Sequence, residues 1–199
     1  MNSFPPTDPT IGRDFQLAWL DDQRAFFRGW RQEPCGDRQA VLAVVSSAEP
    51  GFSHRLLHEF QLSVELDPAW AARPLELVSE EGRSVLIFED RGGEPLDRLL
   101  GSPLQLQDFL RFAVSLCRAV GRMHDRGIIH KDIKPANVLI NRAGGEVWLT
   151  GFGIASRLLR ERQAPDHPEF IAGTLAYMAP EQTGRMNRSI DSRSDLYGL

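Results

Sequence analysis

The chain has 199 residues, of which 42% are hydrophobic and 25% are charged, with a formal net charge of −4. This is the composition of a soluble globular protein, and it excludes a disordered or collagen-like chain. The longest apolar run, residues 40–45, is far shorter than the ~20 residues that span a bilayer. The mild excess of acid gives nucleic acid no support as a partner. Two distant cysteines, Cys35 and Cys117, fit no metal-ligand spacing and favour a reducing cytoplasm.

The first ninety residues alternate between short apolar runs and turn-forming residues, a pattern typical of strands. Residues 1–14 are rich in proline and polar side chains and predict a flexible tail. Strands are predicted at residues 15–20, 24–30, 40–45, 75–78 and 85–88. A helix is predicted to begin near Ser53, which is a suitable N-cap, and it carries Glu59. The order β-β-β-α-β-β defines a first unit of residues 15–90.

The chain changes character after the glycine pair at residues 92–93. Apolar residues, including Phe109, Leu110 and Cys117, recur at helical spacing between Gln107 and Arg126, and they predict one long helix with a wide buried stripe. Two short strands, 138–140 and 147–149, follow before the chain becomes loop-like as far as residue 189. A strand-rich first half followed by a helical second half, residues 91–199, predicts an α+β protein of two lobes.

Two motifs in the second half carry chemistry. Residues 128–139 read IIHKDIKPANVL and contain the pattern H-x-D-I-x-x-x-N, and residues 173–181 read GTLAYMAPE. In this order and spacing they resemble the catalytic loop and the end of the activation segment of the protein-kinase family. The resemblance implies a bilobal protein-kinase-like fold. It also predicts an incomplete, C-terminally truncated second lobe, because the family's later helices would lie beyond Leu199.

The resemblance implies a role for each matching residue. Asp132 would accept the proton of a substrate hydroxyl, Lys134 would neutralise the transferring phosphoryl group and Asn137 would bind magnesium. The remaining implied positions are His130 and Asp195 as structural residues, Thr174 and Glu181 in the activation segment, and Phe88, Glu89, Asp90 and Leu139 around the adenine of ATP. The plainer alternatives are that His130 and Asp132 cap a turn, that Asp195 caps a helix, and that Phe88 and Leu139 are core residues.

Three features of an active kinase are missing from the sequence. The D-F-G motif reads Gly151-Phe152-Gly153, which removes the carboxylate that would bind metal. Residues 1–130 contain no lysine, so the strand lysine that would pair with Glu59 is absent in any alignment. Glu59 is equally well explained as a solvated helix residue. The hairpin tip at residues 21–23 is Asp-Asp-Gln, and its two carboxylates would repel phosphate where a glycine-rich loop would cradle it.

These residues together predict a serine/threonine protein-kinase-like domain with impaired catalysis, a pseudokinase that acts as a regulatory or interaction module. The alternatives are an active ATP-dependent kinase and a small-molecule phosphotransferase; Lys134 and residues 173–181 weigh against the latter. The run from Glu181 to Asp191 resembles the N-terminal kinase domain of large bacterial signalling proteins that also carry an ATPase module, a GAF domain and a histidine kinase. This implies a protein partner or substrate in a signalling pathway. The resemblance to kinases implies ATP and Mg²⁺ as cofactors, and the three missing features predict that their binding is weak or absent; the predicted location is cytoplasmic.

Overall fold

The computed structural model describes residues 15–21, 24–33, 36–46, 50–80, 83–157, 160–161, 173–186 and 188–199. The predicted tail at residues 1–14, Cys35 and most of the hairpin tip at residues 21–23 lie outside the described residues. The chain divides into two compact units. The first comprises Met1–Ser63 and Arg73–Arg91, and the second comprises Val64–Ala72 and Gly92–Leu199. Residues 64–72, which the sequence placed with the first half, are therefore grouped with the second unit.

The first unit is an antiparallel sheet of five strands with one helix. Its elements are β1 (Gln16–Leu20), β2 (Arg24–Gln32), β3 (Arg38–Ser46), α1 (Pro50–Gln61), β4 (Pro74–Glu80) and β5 (Arg83–Glu89). The strand order in the sheet is β1-β2-β3-β5-β4. The predicted helix begins at Pro50 rather than near Ser53, because proline has a fixed φ that suits the first helical turn and needs no N–H donor there.

Both faces of this sheet are apolar in its central strands. One face carries the core cluster, which consists of Ala25, Phe27, Val41, Ala43, Val45, Val85 and Ile87. Since side chains alternate along a strand, the intervening residues Phe26, Leu42, Val44, Leu86 and Phe88 point to the opposite face, and they are buried as well. Burial on both faces explains why these strands read as continuous apolar runs in the sequence.

The second unit combines a long helix with short strands and turns. Its helices and strands are β6 (Glu94–Pro95), α2 (Leu106–Asp125), β7 (Val138–Ile140), β8 (Val147–Leu149), β9 (Arg160–Glu161), β10 (Ile190–Asp191) and α3 (Ser192–Tyr197). Among the described residues of this unit, short 3-10 helices span Leu96–Leu99, Pro135–Asn137, Leu175–Tyr177 and Pro180–Thr183. Strands β6, β7 and β8 form one sheet, and β9 pairs with β10. Elements this short leave no periodic pattern, which is why β6, β9 and β10 were not predicted.

Helix α2 buries a narrower stripe than its sequence predicts. Phe112, Ala119, Val120 and Met123 are buried, whereas Phe109 and Leu110 are about half exposed and Cys117 is exposed. The four buried residues are seven, one and three positions apart along one side of the helix, and Phe109, Leu110 and Cys117 lie outside this buried stripe. Among the described residues, no helix is long and apolar enough to cross a bilayer.

The segment that carries the H-x-D motif follows directly after the end of α2. Gly127 adopts a positive φ of 73°, and its N–H donates to the carbonyl of His124 at 2.8 Å. This left-handed residue stops the helix and reverses the chain, a conformation that glycine adopts at little cost. Ile128 and Ile129 follow directly and are buried, so the loop that begins at His130 is anchored on the core of the second unit.

Candidate functional site

The loop of residues 130–137 is held at both ends by apolar anchors and backbone pairing. Ile129 exchanges two backbone hydrogen bonds with Ser156, at 2.8 and 2.9 Å, and Ile133 is buried in mid-loop. The loop ends in the short helix Pro135–Asn137, which passes directly into β7. Ile129 and Ile133 take buried positions at the start and in the middle of the loop, whereas Lys131, Asp132 and Lys134 are only partly buried.

Four of the predicted site residues form one hydrogen-bonded group. Asp132 Oδ1 accepts the backbone N–H of Thr174 at 3.1 Å, and Asp132 Oδ2 accepts from Asn137 Nδ2 at 2.9 Å. The ammonium Nζ of Lys134 lies 3.3 Å from Asp132 Oδ2 and donates to Thr174 Oγ1 at 2.7 Å. The carboxylate of Asp132 is therefore both charge-paired and hydrogen-bonded, and Thr174 ties the segment that follows residue 173 to the loop.

Asp195 braces the start of the same loop from α3. Its carboxylate is 1% exposed and accepts the backbone N–H groups of His130 at 2.9 Å and Lys131 at 2.7 Å. His124 Nε2 lies 2.8 Å from the same carboxylate. Lys131 has a positive φ of 69°, which is strained for a residue with a side chain. The bonds to Asp195 hold that strained residue beside Asp132.

His130 links the loop to the segment around residue 151. Its side chain is completely buried, and the ring centroid lies 4.6 Å from that of Phe152. Nδ1 accepts the backbone N–H of Asp132, so Nε2 carries the proton and donates to the carbonyl oxygen of Thr150 at 3.0 Å. This assignment follows from the hydrogen-bond network. It makes His130 a neutral ring that joins two backbone segments.

Gln182 is a site residue that the sequence reasoning missed. Its Nε2 donates to the carbonyl of Lys131 at 2.7 Å, and its Oε1 accepts the backbone N–H of Ala179 at 3.0 Å. The neighbouring Glu181 is buried and accepts a hydrogen bond from Ser194 Oγ at 2.7 Å. Glu181 therefore bonds to α3, while Gln182 bonds to the strained residue before Asp132. A glutamine in a loop carries no local signal for such a role.

Gly151, at the position of the missing aspartate, leaves no room for a side chain. It has a φ of +81°, and a Cβ placed there would lie 2.6 Å from Asn137 Oδ1. Asn137 is buried, and its amide also donates to the carbonyl of Asp132 at 2.9 Å. Among the described residues, no group of three or more His, Cys, Asp or Glu side chains is placed to hold a metal ion. Position 151 therefore supplies no carboxylate for the magnesium ion that the resemblance implies.

The positions expected to contact adenine are distributed over the two units. In the first unit Phe88 is buried on β5, and Asp90 donates its backbone N–H to the carbonyl of Ala40 at 3.0 Å. Glu89 forms an ion pair with Arg91 at 3.1 Å. Leu139 is buried on β7 of the second unit.

The remaining expectations concern α1 and the β1–β2 hairpin of the first unit. Glu59 is only 3% exposed, so its interpretation as a solvated helix residue is wrong. Gly29, the glycine of the hairpin, packs against the ring of Phe15, where an added Cβ would approach ring atoms to 2.6 Å. Asp21 at the hairpin end is paired with Arg24 at 2.7 Å. The hairpin glycine thus leaves room for the ring of Phe15.

Comparison with known proteins identifies one matching family and several related bacterial proteins. The protein kinase domain family matches residues 41–199. Serine/threonine-protein kinase Pkn1 of Myxococcus xanthus is 38% identical over 120 residues, which are 59% of this chain and 17% of that protein. A probable serine/threonine-protein kinase PknB of Corynebacterium glutamicum is 30% identical over 166 residues, 79% of this chain and 25% of that protein. The chain therefore spans a quarter or less of the length of these two relatives.

Proposed function

The chain belongs to the serine/threonine protein-kinase family, and we propose that it is a catalytically impaired member, a pseudokinase that acts as a regulatory or interaction module in a bacterial signalling protein. The observation that carries this proposal is the geometry at Gly151. Members of the family place there an aspartate that binds the metal ions bridging the phosphates of ATP. Here the residue has no side chain, and Asn137 Oδ1 lies only 2.6 Å from the position that a Cβ would take.

The charges available to a nucleotide support the same proposal. Mg²⁺ prefers carboxylate and phosphate oxygens in octahedral geometry, and an asparagine amide supplies only a neutral ligand. The absence of lysine from residues 1–130 removes the cation that would neutralise the phosphates. Catalysis of phosphoryl transfer depends almost entirely on such positioning and charge neutralisation. We therefore derive no transfer step for this site.

The group formed by Asp132, Lys134 and Thr174 supports the second part of the proposal, a role in binding a protein. These contacts attach residues 173–183 to the loop. Leu175 and Tyr177 project from this attached segment and are exposed. A segment of fixed conformation that displays apolar side chains loses little conformational entropy on binding, so it suits recognition of a protein partner in the cytoplasm.

An active kinase is the second candidate, and one observation favours it. The ion pair between Asp132 and Lys134, together with the hydrogen bond from Lys134 to Thr174, is an arrangement that could position a substrate hydroxyl. The proton acceptor and the cation of the family motif are thus both present.

Phosphoryl transfer separates the two candidates. The whole chain is incubated with radiolabelled ATP, Mg²⁺ and a generic acceptor protein, beside the matched Asp132→Asn variant. We expect incorporation to be equal in the two proteins and no higher than background. Incorporation that depends on Asp132 would overturn the proposal and establish the active kinase.

A further inference from the structure

Four side chains on one face of the first unit form a stacked column, which we call the β1–β2 ladder: Arg24, Phe26, Trp19 and Arg28. Trp19 lies directly opposite Phe26 in the register of the two strands, and their rings stack with centroids 4.8 Å apart and planes 20° from parallel. The guanidinium of Arg24 lies 5.1 Å from the centre of the Phe26 ring. That of Arg28 lies 5.5 Å from the centre of the Trp19 ring.

Each end of the ladder is fixed by an aspartate. Asp21 accepts from both the backbone N–H and the side chain of Arg24, at 2.6 and 2.7 Å. Asp90, directly after β5, forms an ion pair with Arg28 Nε at 2.9 Å. Both arginines are thereby neutralised. They hold the aromatic pair between two cation–π contacts, which stabilise it beyond simple apolar burial.

The ladder lies on the face of the sheet opposite the core cluster, because Phe26 alternates with Ala25 and Phe27 along β2. The aromatic pair is nevertheless buried, with Trp19 8% and Phe26 2% exposed. Among the described residues, the indole Nε1 of Trp19 is a buried donor without a hydrogen-bond partner. Ring contacts, rather than polar bonds, therefore hold the indole in place.

The ladder also lies outside the part of the chain that the protein kinase family model matches, since that match begins at residue 41, after β2. In kinases the hairpin at this position is rich in glycine and covers the nucleotide. Here its strands carry a stacked indole and phenyl ring. A planar heteroaromatic base binds proteins through the same stacking on aromatic rings and guanidinium groups.

We propose that the β1–β2 ladder takes the place of the nucleotide base: the indole of Trp19, stacked on Phe26, occupies the surface of the first unit on which adenine would stack. This inference rests on the proposed function and extends it. Loss of the carboxylate at residue 151 impairs metal binding and transfer, whereas the ladder excludes the base itself, with or without metal. Adenosine, which carries no phosphate, is therefore excluded as well as ATP.

Binding of adenosine tests the ladder separately from the metal site. The whole chain, Trp19→Ala and Trp19→Phe are titrated with adenosine and with Mg-ATP by calorimetry, and each is melted with and without adenosine. Trp19→Phe is the matched control, because it keeps an aromatic ring in the stack while it removes the second ring of the indole with its unpartnered N–H. We expect no saturable binding to the wild-type chain or to Trp19→Phe. In Trp19→Ala we expect saturable adenosine binding, at least about tenfold tighter than the weakest affinity that the titration detects, and a melting temperature that adenosine raises.

Three results would overturn the inference: saturable adenosine binding by the wild-type chain, saturable Mg-ATP binding by the wild-type chain, or a cooperatively folded Trp19→Ala that binds adenosine no better than wild type. Should Trp19→Ala not melt cooperatively, Phe26→Leu, which removes the facing ring, takes its place with the same expected result. A wild-type chain that binds Mg-ATP but transfers no phosphate would overturn the ladder inference and leave the proposed function standing. Asp132-dependent transfer would overturn the proposed function.

Discussion

Gly151→Asp returns a carboxylate to the position where the family binds metal, and the structure predicts that the substitution destabilises the chain. The left-handed backbone at this residue, φ +81°, is unfavourable for a side chain by roughly 1–2 kcal/mol. The new Cβ would also lie 2.6 Å from Asn137 Oδ1, so the Asn137 side chain must move. Its amide would then lose two hydrogen bonds to Asp132, each 2.9 Å long.

The size of the effect follows from these two terms. A hydrogen bond to a charged group contributes about 1.5–3 kcal/mol and one between neutral groups about 0.5–1.5 kcal/mol. Together with the backbone strain, Gly151→Asp should lower the free energy of unfolding by about 3–6 kcal/mol. That is a large part of the ~5–15 kcal/mol that stabilises a typical domain.

Urea denaturation of three variants separates the causes. Gly151→Ala introduces only the Cβ, and Gly151→Asn has the size of aspartate without its charge. Because Gly151→Asp shares the Cβ with both, all three variants should show most of the same decrease in the free energy of unfolding. Asn137→Ala removes the obstructing side chain, and Gly151→Asp should therefore destabilise less in that background than alone. A Gly151→Asp variant as stable as wild type would refute the steric argument.

The same variant is expected to remain inactive in the phosphoryl-transfer assay. One restored ligand leaves the phosphates without the strand lysine and without a glycine-rich hairpin, and catalytic residues that act as a unit are strongly non-additive. Turnover in the ~1–100 s⁻¹ range of ordinary kinases would show that the other two losses do not matter.

Two further substitutions test the contacts around α3. The Arg193 side chain, which hydrogen-bonds Asp191, lowers the pKa of that carboxyl from 3.8 to about 2, so its stabilisation is present above pH 3.8 and is lost as the pH falls towards 2. The difference in melting temperature between wild type and Asp191→Asn should therefore shrink as the pH is lowered from 5 through this range; a constant difference would contradict the assignment. Asp195→Asn replaces one accepting oxygen by a donor facing the backbone N–H groups and should lower the free energy of unfolding by about 3 kcal/mol or more, with faster amide exchange at Lys131. The exposed control Asp125→Asn should change the free energy of unfolding by less than ~0.5 kcal/mol. Equal effects of the two substitutions would refute the role of Asp195 in holding the backbone at residues 130–131.

Much of the architecture was predictable because its signals are local. Short apolar runs separated by turn-forming residues predicted the five strands of the first sheet, and the helical spacing of apolar residues predicted α2. The H-x-D-I-x-x-x-N motif lies within eight successive residues, so the proximity of Asp132, Lys134 and Asn137 follows from chain connectivity. The start of α1 and the width of the buried stripe on α2 were misjudged, because terminal residues and flanking apolar residues fit more than one arrangement.

The sequence by itself therefore determined the fold class, the order of the main elements and the missing groups: glycine at residue 151 and the absence of lysine from residues 1–130. Only the tertiary structure decided which distant groups meet. Three hydrogen bonds join residues that are far apart in the sequence. Thr174 and Asp132 are 42 positions apart, Gln182 and Lys131 are 51 apart, and Asp195 and Lys131 are 64 apart. No local periodicity encodes such pairs, because their contact depends on how whole elements pack and on which buried polar groups must then be satisfied.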